Sequence, residues 1–98
     1  MGSFSETVLE IVKQIPKGRV MTYSGIAAAA GRPKACRSVG NALNSNPNPV
    51  IVPCHRVVRS DGALGGYSLG VLKKRRLLEK EGVVIENGRV DLEGFCAR

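Results

Sequence analysis

Phe4, Val8, Ile11, Val12 and Ile15 recur at the three- and four-residue spacing of a helix with one apolar face. Ser3 stands before them and Glu6 follows three residues on, the arrangement of a capping box, and Pro16 and Gly18 stop the run. Residues 19–22 read as a short extended piece. Thr22 or Ser24 caps a second, alanine-rich helix through Ala30, with Gly31 closing it. Pro33 suits the first turn of a third helix, which runs to Asn44. There Cys36, Val39 and Leu43 fall on one face. Lys34, Arg37, Ser38, Asn41 and Asn44 fall on the other, which is cationic and amide-rich and carries no carboxylate. Two helices joined by a tight Gly-Arg-Pro turn have the outline of a helix-turn-helix with the third helix as reader. Many such pairs are only packing units, so the outline alone leaves DNA binding and plain packing both open.

The pattern then changes. Asn46-Pro47-Asn48-Pro49 cannot be helical, because each residue before a proline is pushed to extended backbone. Val50-Ile51-Val52 is apolar throughout and reads as a short buried strand that Pro53 closes. Cys54-His55-Arg56 follows, then Val57-Val58, then a turn at Ser60-Asp61-Gly62. Gly65, Gly66 and Gly70 punctuate a flexible loop holding Tyr67 and Ser68. A last helix is expected from Val71 to Glu81, with Lys73-Lys74-Arg75-Arg76 as a solvated face and Gly82 as its cap. Val83 to Leu92 reads as a hairpin about Asn87-Gly88. This order describes a mainly α fold with a small β component, a winged-helix-like helix-turn-helix in one domain over residues 1–98.

Charge narrows the partner. Fifteen Lys and Arg oppose eight Asp and Glu among 98 residues, a net +7. That balance favours a polyanion, nucleic acid first, although a basic surface kept for solubility has the same balance. Three cysteines at wide spacing, with no Cys-x-x-Cys pair and a single histidine, exclude a disulfide framework and a structural zinc site. A reducing compartment fits, and no metal or cofactor is expected. No apolar run approaches the roughly 20 residues that span a bilayer, and no secretory pattern opens the chain. The expectation is a soluble monomer, cytoplasmic or, in a eukaryote, nuclear.

Cys54 lies between an apolar strand and a cationic stretch, with proline before it and histidine after it. Neighbouring positive charge or a base makes a thiol nucleophilic, and His55 and Arg56 are at hand. A small core thiol beside a satisfied histidine is the plainer reading of the same residues. Adjacent side chains on a strand point to opposite sides, so His55 serves Cys54 only if the backbone turns there or water bridges the two. A histidine base also needs an orienting group, and Glu81 is one of eight carboxylates available.

Pro53-Cys54-His55-Arg56-Val57 resembles the active-site signature of the O6-alkylguanine-DNA alkyltransferases. Gly-Arg-Val-Met-Thr-Tyr at 18–23, Arg-Ser-Val-Gly at 37–40, Asn46-Pro47, Gly65-Gly66-Tyr67-Ser68 and Leu-Leu-Glu-Lys-Glu-Gly at 77–82 resemble further segments of that family, in its order and spacing. The resemblance covers nearly the whole chain. It implies a DNA repair activity that moves a methyl or other alkyl group irreversibly from O6-alkylguanine in double-stranded DNA to Cys54, after the base is flipped out. By that resemblance His55 is the base acting through a bridging water, Glu81 orients it, and Asn46 ties the reading helix to the active-site turn. Tyr23 helps rotate the nucleotide and protonates the departing guanine, and Ser68 donates to the guanine oxygen. Backbone carbonyls of Cys54 and Val57 accept from its amine. Arg37 fills the gap in the duplex, while Leu43 and Tyr67 line the pocket. Lys34, Arg32, Ser38 and Gly40 fit a DNA surface on the minor-groove side. Without the family, Arg37 also reads as a solvated helix charge and Tyr23 as a core aromatic, and Cys36 and Cys96 read as structural.

The resemblance is to the C-terminal catalytic domain alone, so the family's N-terminal domain is expected to be absent. Leu69 stands where relatives often carry glycine, which narrows the tolerance for bulky alkyl groups. Two other classes compete. Alkyltransferase-like proteins flag damage without repairing it and characteristically replace the acceptor cysteine, often by tryptophan. A plain winged-helix regulator needs neither Cys54 nor the Tyr67-Ser68 loop.

Overall fold

A computed structural model describes residues 3–45, 52–67 and 69–97. Helix α1 spans Phe4–Lys13; the Ser3 hydroxyl accepts from the Glu6 amide at 3.1 Å, and Val8 and Val12 are buried. Strand β1, Met21–Thr22, leads into helix α2, Tyr23–Ala29, which Thr22 caps through the Gly25 amide at 3.0 Å. Helix α3 covers Cys36–Asn44. It starts later than the sequence suggests: Arg32–Ala35 form a turn closed by the Ala35 amide on the Arg32 carbonyl, so Pro33 lies outside the helix. A single 3₁₀ turn, Cys54–Arg56, precedes strand β2, Val57–Val58. Helix α4 is Val71–Lys80; β3, Ile85–Glu86, and β4, Arg89–Val90, form the expected hairpin. Its turn is left-handed at both centres, with φ 54° at Asn87 and 75° at Gly88.

Two features escape the sequence pattern. Strands β1 and β2 pair in parallel, Met21 with Val57 and Thr22 with Val58, and two-residue strands carry no alternation to detect. A short helix α5, Leu92–Phe95, follows the hairpin, and its end is bound to the residue just before β1: the Val20 amide donates to the Phe95 carbonyl and the Ala97 amide to the Val20 carbonyl.

The parallel pair divides two cores. Alternation sends Val57 into a core with Val12, Ile26, Val39 and Leu43 from α1–α3, and Val58 into another with Val20, Leu64, Leu78 and Val90. Each valine is fully buried. The Cys54–Arg56 turn is therefore held between a helical half, which presents α3, and a half that carries α4 and the hairpin. This is the mainly helical, winged-helix-like arrangement expected. The expected strand at residues 50–52 falls largely outside the described residues; Val52 itself is a bend.

Candidate nucleophile pocket

Pro53 ends the preceding segment, and the chain turns at once: the Cys54 amide donates to the Val52 carbonyl at 2.7 Å and the Arg56 amide to Pro53 at 2.9 Å. A turn, unlike a strand, frees Cys54 and His55 from pointing to opposite sides. Cys54 is 6% exposed and His55 5%.

Behind Cys54 lies a three-residue network. His55 Nε2 is 3.0 Å from Glu81 Oε2. Arg56 grips the same carboxylate with both arms of its fork, Nε to Oε1 at 2.9 Å and Nη2 to Oε2 at 2.6 Å, while Nη1 donates to the Ile15 carbonyl at 2.8 Å. Burial disfavours the Glu81 carboxylate, but hydrogen bonds from Arg56 and His55 outweigh it and hold the pKa below the ordinary value. An ionised Glu81 accepts only, so His55 Nε2 carries the ring proton and Nδ1 a lone pair. Among the described residues that Nδ1 is buried without a hydrogen-bond partner. Burial lowers the His55 pKa, against the Glu81 hydrogen bond and charge, with Arg56 and Lys74 assisting. The imidazole is thus neutral at pH 7, with its basic nitrogen unengaged.

In front of Cys54 opens a cavity of about 700 Å³. Its walls come from Tyr23 at the start of α2, Arg37 and Leu43 of α3, Arg59 after β2, and Tyr67. Burial raises the Tyr23 pKa, with the Cys54 charge adding and Arg59 opposing, and burial with the Cys54 charge raises that of Tyr67. The Tyr67 ring meets His55 edge-on, with centroids 6.4 Å apart.

Of the residues expected from sequence, Tyr23, Arg37, Gly40, Leu43, Cys54 and Tyr67 line this cavity, and His55 and Glu81 form the network behind it. Val57 is wholly buried in the helical core. Lys34 and Ser38 are exposed and outside the cavity wall. Arg32 is turned toward α1, its guanidinium 5.2 Å from the Phe4 ring centroid. Asn46 and Ser68 lie outside the described residues. Cys36, read from sequence as structural, also lines the cavity, and none of the three cysteines is in a disulfide.

The expectation of a solvated face at 73–76 fails at Lys74, which is fully buried. Its Nζ donates to the Leu64 carbonyl and, at 3.1 Å, to Gly66. Burial lowers its pKa to about 8, with the Cys54 charge working the other way. Helical period carried the signal, since Lys74 precedes the buried Leu78 by four residues and shares its face. Among the described residues no group of three or more His, Cys, Asp or Glu could hold a metal ion. Nor, among the described residues, is any helix long and apolar enough to cross a membrane.

A polar helix beside a cavity that a thiol lines, on a basic chain, defines a helix-turn-helix DNA-binding class of domain. The chain belongs to the 6-O-methylguanine DNA methyltransferase family: the model of that family's DNA-binding domain matches residues 3–83. It is 52% identical over 83 residues to the methylated-DNA–protein-cysteine methyltransferase of Methanothermobacter thermautotrophicus, a match covering 85% of this chain and 46% of that protein. With the Homo sapiens protein of the same name it shares 49% over 81 residues, covering 82% and 39%. The chain spans less than half the length of these curated relatives. Among solved structures, S. pombe Atl1 in complex with damaged DNA containing O6-carboxymethylguanine superposes with a TM-score of 0.88 at 30% identity, over 100% of this chain and 99% of that one. Mycobacterium tuberculosis OGT in complex with DNA gives 0.80 at 43% identity, over 84% and 50%. The family match is to a DNA-binding domain; a catalytic domain is a further step.

Proposed function

We propose that this DNA-binding domain is also the catalytic one, and that it repairs double-stranded DNA by taking the O6 substituent of a flipped guanine onto Cys54. The observation that carries this is a thiol at the base of the cavity with a neutral imidazole behind it. The Cys54 proton passes to His55 Nδ1, through a water. The sulfur attacks the alkyl carbon in line; the S–C bond forms, the C–O6 bond breaks, and the electron pair leaves with guanine. Tyr23, whose raised pKa keeps its hydroxyl protonated, supplies the proton that the departing guanine takes up. The thioether has no route back, so each molecule acts once and needs no cofactor.

The target carbon is stacked inside a duplex, so extrusion costs a few kcal/mol. Arg37, exposed on α3 at the cavity mouth, fills the gap and offsets part of that cost. Gly40 lets the groove approach, Leu43 and Tyr67 flank the base, and Lys34, Ser38 and Arg32 belong to the wider phosphate surface. The carbonyls of Cys54 and Val57 accept from the guanine amine. Asn46 and Ser68 keep the roles the family resemblance implies. We place the protein as an intracellular monomer.

The second reading is damage flagging without transfer. The end-to-end likeness to Atl1 favours it, and Cys54 itself opposes it. A duplex carrying one O6-methylguanine separates them, with mass analysis of the peptide that contains Cys54. Gain of one methyl per protein molecule at Cys54 is expected. Tight binding to the lesion without gain means flagging. Equal affinity for damaged and undamaged duplex, also without gain, means a plain winged-helix regulator.

A further inference from the structure

Three arginines surround the pocket, and the fold treats them differently. Arg56 is spent on Glu81. Arg37 belongs to the reading helix. Arg59 has neither duty. It leaves β2 on a rigid footing: its amide donates to the Ala63 carbonyl at 2.8 Å, and its carbonyl accepts from Gly62 at 2.9 Å. The stem then runs over Gly65, where an added Cβ would lie 3.3 Å from Arg59 Cγ and 3.5 Å from the Tyr23 hydroxyl oxygen. Gly65 has φ +71°, so both backbone and space keep that position bare. The bare wall leaves room for the stem near Tyr23, and Arg59, exposed to solvent, lines the cavity that Cys54 also lines.

That guanidinium has no ion-pair partner among the described residues. The acid nearest in sequence, Asp61, also lines the cavity; it faces Arg89 at 3.9 Å and accepts from the Ala63 amide at 3.0 Å, and that hydrogen bond, with the Arg89 and Arg59 charges behind it, lowers its pKa without an ion pair to Arg59. About 700 Å³ is the volume of a drug-sized ligand site, so room remains beyond a base and one methyl. An arginine fork unpaired in such a space is a carboxylate receptor.

We infer that Arg59 is a specificity-determining residue of this pocket, favouring O6 substituents that end in a carboxylate. The inference rests on the pocket being the base pocket of the proposed function. A carboxymethyl group is the smallest such substituent: its CH₂ is the carbon attacked and its carboxylate projects one bond further. Transfer forms the S–CH₂ bond and breaks CH₂–O6, the electron pair leaving on guanine as before. An anionic sulfur approaching a carbon that bears an anion meets repulsion. Arg59 pairs with that anion and removes it, an effect absent for methyl.

The test compares duplexes bearing O6-carboxymethylguanine and O6-methylguanine, with wild type, Arg59→Gln and Arg59→Lys. Loss of one charge-assisted hydrogen-bond pair should lower the carboxymethyl-over-methyl rate ratio by about tenfold in Arg59→Gln, with Arg59→Lys recovering part of it. Equal slowing on both lesions makes Arg59 a phosphate contact and overturns the proposal, as does an unchanged ratio. The ratio of the two dissociation constants, measured on the Cys54→Ser protein with and without Arg59→Gln, reads the same preference without any transfer. A wild type that transfers neither group sinks the repair reading, while a surviving Arg59-dependent affinity ratio would still support the anion preference.

Discussion

Glu81 accepts hydrogen bonds from two neighbours in sequence, and the pair serves two ends: the Arg56 fork fixes the carboxylate, and the carboxylate fixes the imidazole. Removing it should leave His55 present but wrongly protonated. Glu81→Gln is expected to slow alkyl transfer on the order of a hundredfold, the scale of general base catalysis, measured by single-turnover rates on a methylated duplex. The pH dependence follows from the same groups. His55 must be neutral to act, so transfer should be full at neutral pH and lost as pH falls through a value below 6.5. Stability moves in the same direction. Just below pH 6.5 the unfolded imidazole takes up a proton that the folded one refuses, so acid favours unfolding there. Below the ordinary Glu value of 4.5 the paired Glu81 carboxylate adds a further loss as pH falls through its folded pKa. Thermal melts between about pH 7 and pH 4 should show a falling Tm, less steep below 4.5 in Glu81→Gln.

Elements differ in how plainly the sequence announces them. The helices α1 and α4 and the hairpin were legible because cap residues, helical spacing and Asn-Gly turn chemistry are local. The start of α3 was not: Pro33 suits a first helical turn, yet the chain spends Arg32–Ala35 on a turn before the helix begins at Cys36. The parallel β1–β2 pair joins residues 36 apart, and no local pattern encodes it. Two predictions belong here. Arg37 lies at the mouth of the cavity on α3, so Arg37→Ala should slow transfer from a duplex more than transfer from a free alkylguanine base; equal slowing would refute its gap-filling role. The 59–62 turn is locked against β4, since a Cβ on Gly62 would sit 2.5 Å from the Val90 carbonyl oxygen at φ +89°. Gly62→Ala should cost about 1–3 kcal/mol in denaturant unfolding and loosen the footing of Arg59.

On the scale of the whole molecule, a net +7 on 98 residues sets how it meets DNA. Binding to undamaged duplex should weaken linearly in log–log with salt, and Lys34→Ala should reduce the slope by about 1, as for a single phosphate contact. Salt titrations by fluorescence anisotropy would measure both. Most of the pocket was readable residue by residue, from Tyr23 to Glu81, because the signature segments are short and ordered. Arg59, Lys74 and the Arg56 fork were not, since their meaning depends on what the folded chain places opposite them. The family resemblance singled out Cys54; only packing could say which charges surround it.

Lys74 clasps the segment of Leu64 and Gly66 to α4 while keeping a cation out of water. Its buried ammonium is held by two carbonyls of that segment, and burial lowers its pKa to about 8. Between about 8 and 10.5 folded Lys74 loses its proton while the unfolded chain keeps one, so this group adds stability as pH rises across that window. Differential scanning calorimetry over that range should show the gain, and Lys74→Met should abolish it. The clasp beside Tyr67 is then cheapest to keep in mild alkali, where an amine replaces the ammonium.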